Sequence, residues 1–166
     1  MTCFLDVQGF RMSWGYVIKE ISIVCSQGKL YNVWMLRPPC RFEQLSIADR
    51  NEVSRVSNYQ LALAWDDGCI PNKTLEDIFV QIGRRFITWI VEDNRVKGIV
   101  FPFKPKVVEI QTLAEYCNDI AGIFNVEEAL QEITYPEIGC MYDHPSCAVQ
   151  NVTKLLNISN KARETQ

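Results

Sequence analysis

The residues best suited to chemistry are concentrated near the end of the sequence, where Cys140, His144 and Cys147 lie within eight residues. His144 is the only histidine of the chain. Zinc takes tetrahedral sets of cysteine, histidine and carboxylate ligands, and ligands that are close together in a turn need little ordering to bind it. The spacing therefore predicts a structural zinc site with one ligand still to be found. The alternative is that both cysteines are small buried hydrophobic residues and that His144 belongs to a turn.

The elements that must position these residues follow an α/β pattern. The predicted strands are Cys3–Val7, Tyr16–Cys25, Leu30–Leu36, Thr88–Val91 and Val107–Ile110. The predicted helices are Ile47–Val53, one that begins at Thr74, one that begins at Thr112, and Cys147–Leu156. Short connections between the first three strands indicate an antiparallel meander, and the later alternation of helices and strands indicates parallel pairing. The pattern predicts a mixed sheet that starts with three antiparallel strands, continues with parallel strands and is flanked by helices.

Composition and length predict one globular domain over residues 1–158, followed by a flexible polar tail over residues 159–166. The sequence is 48 % hydrophobic and 22 % charged, and its formal net charge is −3. An acidic balance argues against broad attraction to nucleic-acid phosphates, although a local basic patch is compatible with it. Arg84, Arg85, Lys97, Lys104 and Lys106 could form such a patch.

The sequence also predicts an intracellular protein, in the cytoplasm or the nucleus, without a membrane anchor. No apolar run is long enough for a membrane helix, and the first residues lack the basic segment of a secretory signal. The seven cysteines are therefore expected as free thiols or metal ligands rather than as disulfides. Three glycosylation-type patterns, at Asn72, Asn151 and Asn157, are interpreted as chance matches.

Three short segments in the first forty residues carry a family likeness. Leu5-Asp6-Val7-Gln8-Gly9 lies in the first strand, Lys19-Glu20-Ile21-Ser22-Ile23 lies in the second, and Arg37-Pro38-Pro39 ends the third. Near the C-terminus, Ser146-Cys147-Ala148-Val149-Gln150-Asn151 has the spacing of a His-x-Ala-x-x-Asp pattern. In order and position these segments resemble the DEDD-type exonucleases of the RNase H-like superfamily.

The resemblance implies a two-metal nuclease site whose carboxylates are largely lost. That family has Asp-x-Glu in its first strand and a histidine and an aspartate in its last helix. Of the matching positions Asp6, Gln8, Ser146 and Asn151, only Asp6 is an acid. Glu92 and Asp93 are available for the third acid, but the sequence does not align either one. Hydrolysis by two metal ions requires several carboxylates, so a degenerate nuclease is expected. The alternative for Asp6 is a local capping or pairing role.

The loss of carboxylates together with a Cys/His cluster is similar in kind to the Maelstrom domain. That domain is an RNase H-like fold with a Glu-Cys-His-Cys zinc site. The resemblance implies Glu20 as the fourth zinc ligand beside Cys140, His144 and Cys147, although the spacing of the last three differs from that family. Cys117 is the alternative fourth ligand.

These observations leave three hypotheses of function. The first is a non-catalytic module that binds single-stranded RNA or a protein partner, and the likeness to Maelstrom would place it in small-RNA or transposon silencing. The second is an active metal-dependent 3'-5' exonuclease or RNase with a rearranged site. The third is a structural protein-interaction module of viral or transposon origin, for which the segment Gly9–Trp14 is expected to be an exposed contact loop. Whether the chain is an enzyme stays open, and the losses at Gln8 and Asn151 argue against it.

Overall fold

The computed structural model of the protein describes residues 1–27, 30–59, 64–122, 125–126, 128–129 and 148–165. These residues contain one five-stranded mixed sheet with the strand order β3-β2-β1-β4-β5. The strands are β1 Thr2–Met12, β2 Gly15–Cys25, β3 Leu30–Met35, β4 Thr88–Val91 and β5 Glu109–Thr112. The first three strands pair antiparallel, and β4 and β5 join the sheet in parallel. The predicted fold class is confirmed.

Helices cover both faces of the sheet. They are α1 Ile47–Tyr59, α2 Leu75–Arg85, α3 Asn94–Val100, α4 Leu113–Ala121 and α5 Ala148–Glu164. Short 3-10 turns lie at Phe42–Gln44, Asn72–Thr74 and Phe101–Phe103. In the part of the chain that the structure describes, no helix is both long and apolar enough to cross a lipid bilayer.

The alternation of side chains along β1 separates two layers of core. Cys3, Leu5 and Val7 are buried against α2 and α3. Phe4, between them in sequence, is buried on the other side with residues of α4 and α5. Asp6 and Gln8 continue the series that starts at Phe4, so they face the α5 side of the sheet.

A bulge in the β1–β2 pair lies on β2 and leaves the alternation along β1 intact. Gln8 pairs with Glu20 and Gly9 pairs with Ile18, so Lys19 has no partner across the ladder. A Cβ atom on Gly9 would lie 1.8 Å from the backbone oxygen of Val17. Glycine is required here because the two backbones approach too closely for any side chain.

The predicted contact loop at Gly9–Trp14 is wrong for most of its length. Gly9 to Met12 continue β1, and the side chains of Phe10 and Met12 are buried under α1. Only Ser13 and Trp14 form the turn, and Trp14 is 59 % exposed. The glycine that suggested a turn is instead the glycine of the bulge.

The prediction of a flexible tail over residues 159–166 is also wrong for residues 159–164. The helix α5 continues through them and ends at Glu164. Ser159 and Ala162 are fully buried on the side of α5 that packs against the sheet. Val152, Leu155 and Ala162 share that side because they recur at helical spacing. Polar composition concealed the pattern, since the buried residues of this last part are a serine and an alanine.

Candidate functional site

The first group of candidate residues is a hydrogen-bond network around Asp6. Its carboxylate is fully buried. Gln8, two residues further along β1, donates from Nε2 to Oδ2 of Asp6 over 2.8 Å. Asn151, near the start of α5, donates from Nδ2 to the same oxygen over 3.0 Å. Three positions selected from the sequence as relics of a nuclease site therefore meet at one carboxylate oxygen.

The other oxygen of Asp6, Oδ1, is buried and has no hydrogen-bond partner among the described residues. Burial is the largest influence on the pKa of Asp6 and raises it from 3.8 to about 6. Hydrogen bonds from Asn151 and Gln8 oppose the rise in this pKa, whereas the charge of Glu92 adds to it. A carboxyl group in this position is a better proton acceptor than an ordinary aspartate, and it carries its proton below about pH 6.

Glu92 is the acid beside Asp6 that the sequence could not align. Phe4 on β1 pairs with Ile90 on the parallel strand β4. Asp6 lies two residues beyond Phe4, and Glu92 lies two residues beyond Ile90. Parallel strands carry their registered residues at the same level, so Glu92, just after the carboxyl end of β4, lies near the level of Asp6 in the middle of β1.

Asp93, the other acid considered for this role, caps a helix instead. Its Oδ1 accepts a hydrogen bond of 2.9 Å from the backbone N–H of Val96 in the first turn of α3. N-terminal capping of this kind satisfies a helix donor that would otherwise lack a partner.

Glu20 and Ser22 face the same network from β2. Glu20 lies opposite Gln8, and Ser22 lies opposite Asp6. Both side chains are buried, and Ser22 Oγ lies 3.5 Å from Glu20 Oε1. The helix α5 packs against both β1 and β2, so Glu20 is on the side of the sheet that the beginning of α5 covers.

The remaining predicted zinc ligands, Cys140, His144 and Cys147, lie outside the described residues, as does Ser146. Within the described ranges, no three histidine, cysteine or acidic side chains are grouped so that they could hold a metal ion. Zinc binding by this cluster therefore stays a prediction.

Cys117, the alternative fourth ligand, lies in an apolar environment. Its thiol is buried with Phe4, Leu113, Val152 and Leu155. Burial raises the pKa of Cys117 to about 11. Because zinc binds the thiolate form, these surroundings favour a packing role for Cys117.

A further buried charge lies at the bulge. Lys19 is fully buried and donates from Nζ to the backbone oxygen of Trp65 over 2.7 Å and to the backbone oxygen of Asp67. Burial lowers the pKa of Lys19 from 10.5 to about 8. Asp67 also accepts a hydrogen bond from the backbone N–H of Ala64 over 2.9 Å, as is typical of an aspartate in a turn.

The predicted basic patch is divided among different surroundings. Lys97 pairs with Glu115 over 2.9 Å, and Lys104 donates to the backbone oxygen of Val108 over 2.8 Å. Arg84 and Arg85 border a separate cavity of about 290 Å³ beside Trp34. A different basic group, Arg11 and Arg95, was not selected from the sequence, because the two residues are brought together only by the packing of α3 against the β1–β2 hairpin.

Comparison with known proteins identifies a structural likeness to an exonuclease. No protein-family model matches the sequence, and no curated protein matches it. Among solved structures, the chain is similar to Exonuclease X in complex with 5' overhanging duplex DNA, with a TM-score of 0.50 and 17 % sequence identity. The match covers 100 % of this chain and 93 % of that one. The protein has an exonuclease-like fold. At this identity the likeness shows the fold alone, and activity must be argued from the residues of this chain.

Proposed function

We propose that this exonuclease-like domain binds single-stranded RNA and does not hydrolyse it. The observation that carries the proposal is the double hydrogen bond from the amides of Gln8 and Asn151 to Oδ2 of Asp6. Each amide lies where the DEDD-type pattern has an acid. An amide supplies no negative charge, and its N–H group occupies lone pairs of Asp6 that a metal ion would need.

Charge balance supports the absence of a two-metal centre. Such a centre holds its ions about 4 Å apart and requires several carboxylates to offset their charge. The acids near Asp6 are Glu92 and Glu20, of which Glu20 is assigned to zinc below, and the pKa of Asp6 is raised to about 6, which makes the ionised form costly. The residues of the described site therefore do not fit a pair of divalent ions. They fit a hydrogen-bonded network that keeps the shape of the site.

A structural zinc ion is part of the same proposal, with Cys140, His144 and Cys147 as ligands and Glu20 as the fourth. A closed set of four ligands contributes to folding rather than to catalysis. When bound, zinc would join the segment before α5 to strand β2. The burial of Glu20 on the side of the sheet that α5 covers supports this assignment.

Cleavage and binding can be tested on one sample. Labelled single-stranded RNA and DNA are incubated with the protein in Mn²⁺ and in Mg²⁺, and binding is followed in parallel by fluorescence anisotropy at low salt. We expect binding of RNA with no cleavage, and the same affinity for the Asp6→Asn variant. Hydrolysis that disappears in Asp6→Asn would replace the proposal with an active nuclease. Absence of binding at low salt would leave the protein-interaction module as the better account.

One observation favours the active alternative and makes the cleavage assay necessary. Oδ1 of Asp6 has no partner among the described residues, and Glu92 lies at the same level of the neighbouring strand. Two neighbouring acids can hold one divalent ion when water completes its shell. A single-ion nuclease would then require both acids, so Glu92→Gln should abolish any activity that Asp6→Asn abolishes.

A further inference from the structure

A cavity of about 430 Å³ lies between the β1–β2 hairpin and α3, and no role has yet been given to it. Arg11 and Tyr16, which pair with each other across the hairpin, form one wall. Arg95 and Gly98 of α3 form another. The volume is within the range of pockets that bind small molecules.

The cavity and the network around Asp6 lie on opposite faces of the sheet, although the charge of Asp6 still acts on the Tyr16 phenol. Tyr16 packs beside the apolar core that α2 and α3 cover, whereas Asn151 reaches Asp6 from α5 on the other side of the sheet. Arg11 and Asp6 are also five positions apart on one strand, so their side chains leave opposite faces. A ligand in this cavity would not replace the amides of the Asp6 site.

Two guanidinium groups converge in the cavity on one aromatic ring. The Cζ atom of Arg11 lies 5.8 Å from the centroid of the Tyr16 ring, and Arg95 lies close enough that its charge opposes the rise that burial causes in the pKa of the Tyr16 phenol. Neither arginine forms an ion pair with a carboxylate of the described residues, where the ion pairs are Arg55–Glu52 and Lys97–Glu115. Their remaining N–H donors are free to meet an anion, for which the planar arginine fork is well suited.

The rest of the cavity is apolar. Ile99, Pro102 and Phe103 line it, and Phe103 is held in place by stacking on Phe79 at 5.1 Å between ring centroids. A Cβ atom on Gly98 would meet nothing within 4 Å, so the cavity stays open along α3. An occupant of this cavity needs an anionic group for the arginines and a flat apolar part for the opposite wall.

A nucleotide has this combination, and we infer that the cavity binds a single nucleotide, with its phosphate between Arg11 and Arg95 and its base against Pro102 and Phe103. The inference rests on the proposed binding of RNA and says which residues would contact one of its nucleotides. With a formal net charge of −3, the chain is poorly suited to follow a long phosphate backbone, whereas two converging arginines suffice for one or two phosphates. The nucleotide could be free or could be the end of a strand, since both present the same chemistry.

The test measures binding of AMP, adenosine and inorganic phosphate by calorimetry, and of a 12-nucleotide RNA with or without a 5' phosphate by anisotropy. We expect AMP to bind more tightly than either of its parts. We expect Arg11→Gln and Arg95→Gln each to weaken AMP binding by about tenfold, because each removes a charge-assisted hydrogen bond. Gly98→Leu should weaken it similarly, because it fills the cavity without removing a charge.

Arg55→Gln is the matched control, since it removes an arginine of α1 outside the cavity. It should leave AMP binding unchanged, and thermal melts should show that all variants are folded. Gly98→Leu keeps the test valid if an arginine variant unfolds, because the open space at this helical position accepts a side chain. For RNA, contact with about two phosphates predicts a slope of about −1.4 in log affinity against log salt.

The outcomes separate the claim that the protein binds RNA from the claim that the cavity binds a nucleotide. A phosphorylated end that binds more tightly than the hydroxyl end identifies the strand terminus as the ligand, and equal affinity together with tight AMP binding identifies the free nucleotide. If RNA binds but neither arginine variant nor Gly98→Leu weakens it, the cavity assignment fails while RNA binding stands. If neither AMP nor RNA binds, both fail. An acidic peptide with an aromatic residue that binds where AMP does not would overturn the nucleotide in favour of a protein partner.

Discussion

Asn151 Nδ2 donates a hydrogen bond of 3.0 Å to Oδ2 of Asp6, and this contact joins residues that are 145 positions apart. It connects the last helix of the fold to the first strand. Gln8 donates to the same oxygen from two residues away. The two amides hold the carboxylate in a fixed orientation and add no charge to the buried site. A second acid in place of either amide would add a negative charge there.

The first prediction is that an acid at position 151 destabilises the protein unless a metal ion is present. Asn151→Asp removes a hydrogen bond and places a second carboxylate about 3 Å from Asp6, where like charges repel in a buried site. We expect the free energy of unfolding to fall by about 1–3 kcal/mol at pH 8 in EDTA. Urea denaturation of the variant and the wild type measures this difference.

Mn²⁺ is expected to reverse the loss, most strongly in the double variant Gln8→Glu/Asn151→Asp, which has three acids at the matching positions. Asn157→Asp is the control, because the same substitution at an exposed position of α5 should change little in either condition. Stability of Asn151→Asp equal to that of the wild type in EDTA would mean that the amide contact with Asp6 is unimportant.

The sequence predicted the sheet and most elements because period-two runs and helical spacing are local properties of the chain. It selected Asp6, Gln8 and Asn151 from spacing, and the structure brings these residues together. It could not select Glu92, whose position depends on the parallel register of β1 and β4. Phe4 and Ile90 are apolar residues paired across these strands, and an acid follows each of them after two residues. A search for this pattern in neighbouring parallel strands would have found Glu92.

The errors had a similar physical origin. Gly9 suggested a turn, whereas the close approach of β2 requires the glycine within a strand. The arginine pair was missed because Arg11 and Arg95 are distant in sequence and meet only when α3 packs beside the hairpin. Local patterns identify elements, and contacts between elements decide which polar residues become a site.

The second prediction concerns the dependence of stability on pH. The pKa of Asp6 is raised to about 6 in the folded protein, above the 3.8 of an exposed aspartate. The folded state therefore binds the proton more tightly, so the contribution of Asp6 to stability is full below about pH 3.8 and is lost as the pH rises through about 6. Between pH 5 and pH 8 the loss should be roughly 1 kcal/mol.

Asp6→Asn cannot ionise and should lack this part of the pH dependence. Chemical denaturation of both proteins at several values between pH 5 and pH 8 provides the comparison, since the other titrating groups are shared. The two curves should converge at low pH and separate as the pH rises, with the wild type becoming relatively less stable. Parallel curves would show that Asp6 titrates normally and is not buried as described.

The third prediction tests the zinc site. Elemental analysis of the purified protein should give about one equivalent of zinc, and His144→Ala should lose the metal and lower the melting temperature in the same way as a chelator does. Cys69→Ser is the control, because Cys69 is exposed and is not among the proposed ligands. Glu20→Gln should weaken zinc binding more than Cys117→Ser if Glu20 is the fourth ligand. A metal content near zero, with full stability in chelator, would remove the site.

The last prediction is that Lys19 holds the turn at Trp65–Asp67 against the bulge of β2. Lys19→Met keeps the length of the side chain but removes the donor to two backbone carbonyls, which leaves them in apolar surroundings. We expect a loss of about 1–3 kcal/mol in the free energy of unfolding at pH 7, with faster hydrogen exchange in the turn. Lys73→Met, at an exposed position, should have little effect.

The pKa of Lys19 is lowered to about 8, so its neutral form is favoured in the folded state. Wild-type stability should therefore rise relative to Lys19→Met as the pH increases from 8 towards 10. If the difference in the free energy of unfolding between the wild type and Lys19→Met stays constant over that range, the buried amine keeps its ordinary pKa.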